Sequence, residues 1–353
     1  MKYFWMLAPA LAVIVAGHLA PQAHTVLFVL SVAAIVPLAA LLSHATEAVA
    51  ARTGDTIGGL LNASLGNLTE LVIALTALRL GMIELVKASL AGAIVANLLF
   101  MLGASFLAGG LRHHEQDYNR LTARVQTSML LLATVTLLVP SALAGREQLQ
   151  ASGFLQDLSI GLSILLIASY ALGLVFSLGT HRKHFGSKAH AEPEAAPWPL
   201  RTAIAALLGA TVLIAMVSHV FVDSVQHAAL QLGMSQAFVG FVIVALVGGA
   251  AESFAAISAA RKNRLDLSVG IAIGSAAQIA LFVAPVLVLA SHFVGPAPMD
   301  LSFPSAQVVA VFIGMLTVAM VASSGKSAWY TGVQLIAVYL VFAITLYLLP
   351  GAA

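Results

Sequence analysis

The feature that most constrains this chain is a series of apolar segments that recurs from one end to the other. A helix that crosses a bilayer needs about 20 predominantly apolar residues. Eleven segments meet this requirement: 4–20, 24–51, 57–79, 84–110, 122–144, 155–180, 199–227, 235–260, 266–293, 303–323 and 327–349. The chain is 8% charged, whereas soluble domains carry about 25% charged residues. The sequence therefore predicts an all-α membrane protein with eleven transmembrane helices.

The positions of Lys and Arg predict the orientation, because cytoplasmic loops are enriched in these residues. With a cytoplasmic N-terminus, thirteen of the sixteen fall on the cytoplasmic side, and Arg79, Lys87 and Arg146 fall on the other side. We expect a protein of the prokaryotic inner (plasma) membrane, in contact with the lipid bilayer. The net charge of +2 gives no support for nucleic-acid binding, and the absence of cysteine excludes disulfides and thiolate metal sites.

An internal repeat relates the two halves of the chain at a constant offset of 182 residues. The identical pairs include Gly58 and Gly240, Glu70 and Glu252, Arg79 and Arg261, Gly92 and Gly274, and Phe100 and Phe282. Arg79 falls on the outer side of the predicted topology and Arg261 on the inner side, so the repeats are predicted to be inverted. Inverted repeats with polar, Gly-interrupted segments near the midplane are typical of secondary transporters.

This repeat predicts the organisation of the chain. An extra N-terminal helix in residues 1–22 precedes two inverted five-helix repeats, residues 23–180 and 199–353, which a cytoplasmic linker of residues 181–198 joins. The linker contains several histidines and prolines. It is interpreted as a solvated connection, with a histidine-based metal or pH sensor as the alternative.

Each repeat carries one acidic residue inside an apolar segment, Glu70 in the first and Glu252 in the second. An ionisable side chain at the centre of a membrane helix costs at least about 2.5 kcal/mol, so such residues mark functional sites. We expect the two carboxylates to face each other near the midplane, with Asn67 on the same helical face as Glu70. Further oxygen donors follow at Asn97, Ser275 and Gln278. The structural alternatives are a paired Glu, a helix cap and, for the uncharged residues, interhelical hydrogen bonds.

The chemistry of these side chains favours cation exchange. Carboxylate and amide oxygens are ligands of hard cations such as Ca²⁺. Two carboxylates at one buried place do not both stay ionised without a cation, so an empty site takes up protons. A hydrolase is the hypothesis from another class, but neither a metalloprotease motif nor a nucleophile elbow is present, and Ser253 beside Glu252 is the only nucleophile there. A channel is a further alternative, which proton-coupled uphill movement would exclude.

At these residues the sequence resembles the calcium/cation:proton exchanger (CAX) family of the calcium:cation antiporter superfamily. The stretches that carry the resemblance are Ala45 to Glu47, Gly58 to Ala63, Gly66 to Leu71, Lys262 to Asp266, and Gly274 to Gln278. It implies eleven helices, with one helix before two inverted five-helix repeats, and export of cytosolic Ca²⁺ in exchange for H⁺. It implies Ca²⁺ as the transported substrate rather than a prosthetic cofactor, and homo-oligomerisation is left open. It also implies that Glu70 and Glu252 hold the cation and protons, surrounded by Asn67, Asn97, Ser275 and Gln278.

The second repeat departs from the family pattern. Gly249 stands in place of an Asn, Ser253 in place of a His, and His219 in place of an acidic residue. An amide ligand is therefore missing, and the transported cation stays open between Ca²⁺ and Na⁺, K⁺ or Mn²⁺. Glu47 and Asp223 are predicted to relay ions or protons to the site from opposite sides, with an interfacial role as the alternative.

Overall fold

The computed structural model describes residues 4–53, 58, 60–61, 64–145, 153–181 and 198–349. After a 3-10 turn at Phe4–Leu7 the helices are α1 Ala8–Leu19, α2 His24–Thr53, α3 Leu68–Arg79, α4 Ile83–His113, α5 Arg120–Leu143, α6 Phe154–Thr180, α7 Leu200–Gln231, α8 Gln236–Gly248, α9 Ala250–Arg261, α10 Leu265–Ala290, α11 Ser305–Ala322 and α12 Trp329–Leu348. Two short strands, β1 Glu115–Asp117 and β2 Lys326–Ala328, pair in an antiparallel arrangement. They join the α4–α5 connection to the start of α12.

In the described part of the chain, eight helices are long and apolar enough to cross a membrane, and the bent pair α8 and α9 adds a ninth if it is one span. Helix α1 is apolar but has only 12 residues, and the predicted span 57–79 is described mainly through α3. The prediction of a helical membrane protein is confirmed at this level, whereas the count of eleven spans stays a prediction. Most of the predicted linker, 182–197, lies outside the described residues.

The segments that carry the two acidic residues are interrupted near their middle. Gly66 and Asn67 form a turn before α3, and Gly249 separates α8 from α9, which are bent by 59°. Glycine disfavours the helix interior and asparagine favours helix starts, so both breaks fall where the sequence weakens the helix. The predictions of one continuous helix over 57–79 and over 235–260 are therefore wrong in this detail. Asn67 precedes the helix that carries Glu70 instead of sharing its face.

Helices α4 and α10 form the centre of the fold. The share of residues buried in their most apolar stretches is 83% for α4 and 78% for α10. Gly92 lets α4 contact the backbone of α8, because a Cβ at this position would lie 2.1 Å from the carbonyl oxygen of Phe241. Small residues permit such close approach of helices in membranes. This contact sets α4 beside the segment that leads to the Gly249 break.

A charged contact holds the beginning of α4 against the loop before α11. The Lys87 ammonium donates hydrogen bonds to the Asp300 carboxylate at 2.7 Å and to the Ser302 carbonyl oxygen at 2.8 Å. Burial acts to raise the pKa of Asp300, but the hydrogen bonds from Lys87 and Ser302 outweigh it, so this pKa lies below its ordinary value. The contact therefore persists over the whole pH range in which Asp300 stays ionised.

Candidate ion-binding site

Glu70 and Glu252 occupy equivalent positions at the starts of two helices. Each is the third residue of its helix, because α3 begins at Leu68 and α9 begins at Ala250. Both helices have 12 residues, and their bounds differ by the repeat offset of 182. The N–H groups of a helix start are unpaired and carry a partial positive charge, which favours a carboxylate there. The breaks in the two segments thus create local environments that tolerate an acid inside an apolar protein.

The two carboxylates lie near each other, and no side chain of the described residues hydrogen-bonds to their buried oxygens. Glu70 and Glu47 both act electrostatically on Glu252. Both carboxylate oxygens of Glu70, and Oε2 of Glu252, are buried and accept no hydrogen bond from the described residues. Buried polar atoms in folded proteins almost always have a partner. Three unpartnered carboxylate oxygens therefore indicate a place where a cation or protons can bind.

A hydrogen-bonded chain of buried polar side chains joins the two repeats beside this pair. The Asn97 amide donates to the Ser275 hydroxyl at 3.1 Å, and that hydroxyl donates to Asn67 Oδ1 at 2.7 Å. Asn97 lies in a π-helical turn of α4, Ala96–Met101, an irregularity frequent at functional sites. Gln278 is also buried, and its Nε2 has no partner among the described residues. All four predicted uncharged donors are thus buried, and three of them form one network.

Two adjacent glycines form the wall against Glu70. A Cβ at Gly248 would lie 3.0 Å from Glu70 Cγ, and a Cβ at Gly249 would lie 3.7 Å from Glu70 Oε1. A cavity of about 10 Å³ lies beside Gly248 and Glu70, lined by residues of α3, α4 and α8 that include Ile73 and Ser89. A space of this size accommodates about one water molecule. Little free space therefore remains beside Glu70.

The predicted relay acids lie on exposed surfaces. Glu47 is exposed on α2 and still acts on Glu252, so the structure places it at the edge of the site. Asp223 is exposed on α7, on one helical face with His219 and His227, which lie four residues before and after it. The C-terminal part of α7 therefore carries a polar face. The relay roles of both acids stay predictions.

Two polar residues near the site were missed by the sequence reasoning. The Thr46 hydroxyl, next to Glu47, is buried without a partner among the described residues. Ser89 lines the cavity beside Glu70 and donates to the Val86 carbonyl oxygen of its own helix. The sequence feature that could have identified both residues is a hydroxyl side chain inside an apolar segment. Because Ser and Thr commonly bond to their own helix backbone, this signal alone does not distinguish a site residue from an ordinary one.

Comparisons with known proteins cover nearly the whole chain. The family model for sodium/calcium exchanger protein matches residues 23–179 and 202–348. A Ca²⁺/H⁺ antiporter of Aphanothece halophytica is 38% identical over 95% of this chain and 93% of that protein. The Ca²⁺/H⁺ antiporter ChaA of Bacillus subtilis (strain 168) is 39% identical over 98% of this chain and 99% of that protein. A vacuolar calcium ion transporter of Schizosaccharomyces pombe is 36% identical over 96% of this chain and 82% of that protein.

Solved structures share the fold. Native YfkE matches with a TM-score of 0.84 and 36% identity, over 98% of this chain and 100% of that chain. The H⁺/Ca²⁺ exchanger CAX matches with a TM-score of 0.72 and 16% identity, over 99% of this chain and 92% of that chain. At the lower identity the likeness concerns the fold alone. The overall arrangement of the helices therefore belongs to a fold that is known from other proteins.

Proposed function

Because this chain belongs to the sodium/calcium exchanger protein family, we propose that it is a secondary active antiporter that exports cytosolic Ca²⁺ in exchange for protons. The resemblance to the calcium/cation:proton exchangers is confirmed by the relatives named Ca²⁺/H⁺ antiporter and by the match to YfkE at 36% identity. The family is one of transporters, and these relatives are similar to the chain over nearly its full length. Ca²⁺ enters the proposal as the transported substrate.

The observation that carries this proposal is a pair of neighbouring acids with three buried carboxylate oxygens that no side chain of the described structure satisfies. Glu70 and Glu252 repel each other when both are ionised, and no other side chain of the described structure hydrogen-bonds to the buried oxygens of Glu70. A divalent cation removes the repulsion, and so do protons. Cation and protons are then alternative occupants of one site. When the site opens first to one side of the membrane and then to the other, this competition exchanges the cation for protons.

The uncharged residues of the site have two roles in this proposal. Asn67 and Ser275 supply oxygen atoms of the kind that Ca²⁺ accepts, and backbone carbonyls and water complete its six to eight ligands. Asn97 orients the Ser275 hydroxyl through its hydrogen bond. Gln278 adds a further amide, whose unpartnered Nε2 leaves it free to turn its oxygen to an ion. Glu47 and Asp223 are assigned to the inner and outer approaches.

Two inverted repeats are the architecture that we propose for this exchange. The supporting observations are the equal lengths of α3 and α9 at the repeat offset and the two stretches that the family model matches, 23–179 and 202–348. In this arrangement eleven spans comprise an extra helix in 1–22 and five-helix repeats in 23–180 and 199–353, with a cytoplasmic N-terminus. The rough symmetry gives the site two related routes, one to each side.

Proton release from inside-out vesicles tests the proposal. Vesicles are acidified inside and followed with a pH-sensitive dye, and added Ca²⁺ should release protons from the wild type. Glu70→Gln and Glu252→Gln should each abolish the response, because an amide neither exchanges a proton nor balances the cation charge. Glu84→Gln, which alters an exposed acid at the start of α4, is the matched control and should respond normally. Normal exchange by both site variants would overturn the assigned site.

The same vesicles decide between Ca²⁺ and the alternative cations. Na⁺, K⁺ and Mn²⁺ remain alternatives because Gly249 supplies no amide to the second half of the site. Each is added in place of Ca²⁺ at equal ionic strength. A response to Na⁺ alone would replace Ca²⁺ in the proposal and leave the exchange mechanism unchanged.

A further inference from the structure

Gly249 is the counterpart of Asn67 in the second repeat, and its backbone conformation does not require glycine. The two residues immediately precede α9 and α3, at the repeat offset of 182. Their backbone angles are similar, φ −82° and ψ 15° for Gly249 and φ −100° and ψ 32° for Asn67. Neither φ is positive, so the conformation is open to residues with a side chain, as Asn67 demonstrates.

Steric fit does not demand glycine at this position either. A Cβ at Gly249 would lie 3.4 Å from Ala245 O, 3.4 Å from Asn97 Oδ1 and 3.7 Å from Glu70 Oε1, all ordinary van der Waals distances. The neighbouring Gly248 differs, because its Cβ would lie 3.0 Å from Glu70 Cγ and would press on that side chain. A side chain at position 248 therefore requires Glu70 to shift. At Gly249 the fold leaves space in which a Cβ fits without displacing its neighbours.

That space faces the ion-binding oxygens directly. Two oxygen atoms, Asn97 Oδ1 and Glu70 Oε1, border it, and the second has no hydrogen-bond partner in the described structure. In the first repeat, the equivalent side chain supplies an amide oxygen that accepts a hydrogen bond from Ser275. Gly249 itself supplies no such oxygen to a cation held by Glu70.

We infer that Gly249 sets the hydration and the affinity of the transported cation. Because this position has no side chain, the cation keeps a water ligand beside Glu70 and Asn97, where the first repeat supplies a side chain. This inference rests on the proposed function. Ca²⁺ suits such a site, because it accepts water in a flexible shell of six to eight oxygens. A side chain that excludes the water without replacing its oxygen should weaken binding. One that supplies an oxygen should strengthen it, since the ordered water is released.

A matched pair of substitutions separates these effects. Gly249→Ala and Gly249→Ser both add a Cβ, and they differ by a single hydroxyl oxygen. Calorimetric titration of Ca²⁺ into the purified full-length protein in detergent should give about a tenfold higher Kd for Gly249→Ala than for Gly249→Ser. Gly249→Asn, which copies Asn67, should bind more tightly than the wild type, by about tenfold at most.

The outcomes that overturn the inference are distinct from failure of the proposed function. Equal Kd values for the Ala and Ser variants, each eluting as a single folded species, would show that Gly249 is only a break in the helix. If Gly249→Asn does not fold, the Ala and Ser pair still decides. Wild-type protein that binds no Ca²⁺ and releases no protons in vesicles would overturn the proposed function instead. If the wild type exchanges Ca²⁺ for protons and the Ala and Ser variants have equal Kd values, only this inference is overturned.

Discussion

At the scale of single residues, the two halves of the site are unequal. Asn67 is buried and accepts a hydrogen bond from Ser275 at 2.7 Å. Its side chain makes no capping bond to α3 and contacts Ser275 of the other repeat instead. Ser253, which follows Glu252, is only partly buried. The first half therefore offers Glu70 a fixed amide oxygen, whereas the second offers Glu252 none at the equivalent place.

This inequality predicts different effects of two alanine substitutions. Asn67→Ala removes an oxygen and leaves the Ser275 hydroxyl without its acceptor, so Ca²⁺ binding should weaken by about tenfold, equivalent to about 1.4 kcal/mol. Ser253→Ala should change the Kd by less than about twofold. Calorimetric titration of both variants under the same conditions measures the ranking. A larger loss for Ser253→Ala would refute the assignment of the stronger half-site to Glu70.

Individual site residues were readable from the sequence because polar atoms are conspicuous in an apolar chain. Glu70, Glu252 and Asn97 stood out by the cost of burying them in a membrane. Gly248 did not, because its contribution is the absence of a Cβ beside Glu70, which only the packing reveals. The relation of Asn67 to Glu70 was also misjudged, since the turn at Gly66 and Asn67 replaces the continuous helix that spacing alone suggested.

At the scale of the helix, two glycines at equivalent places in the repeat have different surroundings. A Cβ at Gly92 of α4 would lie 2.1 Å from the backbone oxygen of Phe241, which moves only if α8 moves. A Cβ at Gly274 of α10 would lie 3.0 Å from Nε2 of Gln126, the end of a flexible side chain. Sequence similarity between the repeats identified both glycines, but it did not reveal this asymmetry, which arises from different neighbours.

The asymmetry predicts opposite tolerance to alanine. Gly92→Ala should separate α4 from α8, lower the free energy of unfolding by about 1 to 3 kcal/mol, and impair Ca²⁺-driven proton release. Gly274→Ala should be tolerated or slightly stabilising, because Gln126 can rotate away and alanine favours a helix by up to about 1 kcal/mol over glycine. Thermal unfolding in detergent and the vesicle assay measure both properties. Equal tolerance of the two substitutions would contradict the close packing of α4 on α8.

At the scale of the whole molecule, the proposed exchange requires an approach to the site from each side of the membrane. Glu47 lies near the end of α2 and Asp223 near the end of α7, and both side chains are exposed. In the proposed topology α2 runs inward and α7 runs outward, because five spans separate the starts of the two helices. The two acids then end on opposite sides, one for each route. Helix length and hydropathy determine the spans but not their direction, so the orientation can be predicted only from the positions of the basic residues.

Labelling of single cysteines tests this arrangement, and the absence of native cysteine removes any background. Glu47→Cys should react with a membrane-impermeant maleimide in inside-out vesicles, and Asp223→Cys should react in intact cells, because charged reagents reach only the aqueous side. Reaction of both cysteines from one side would contradict inverted repeats. Reaction from the two sides in the reverse order would keep the inversion and place the N-terminus outside. The labelling needs no transport activity, so it separates the topology from the role of Glu47 and Asp223 in moving ions.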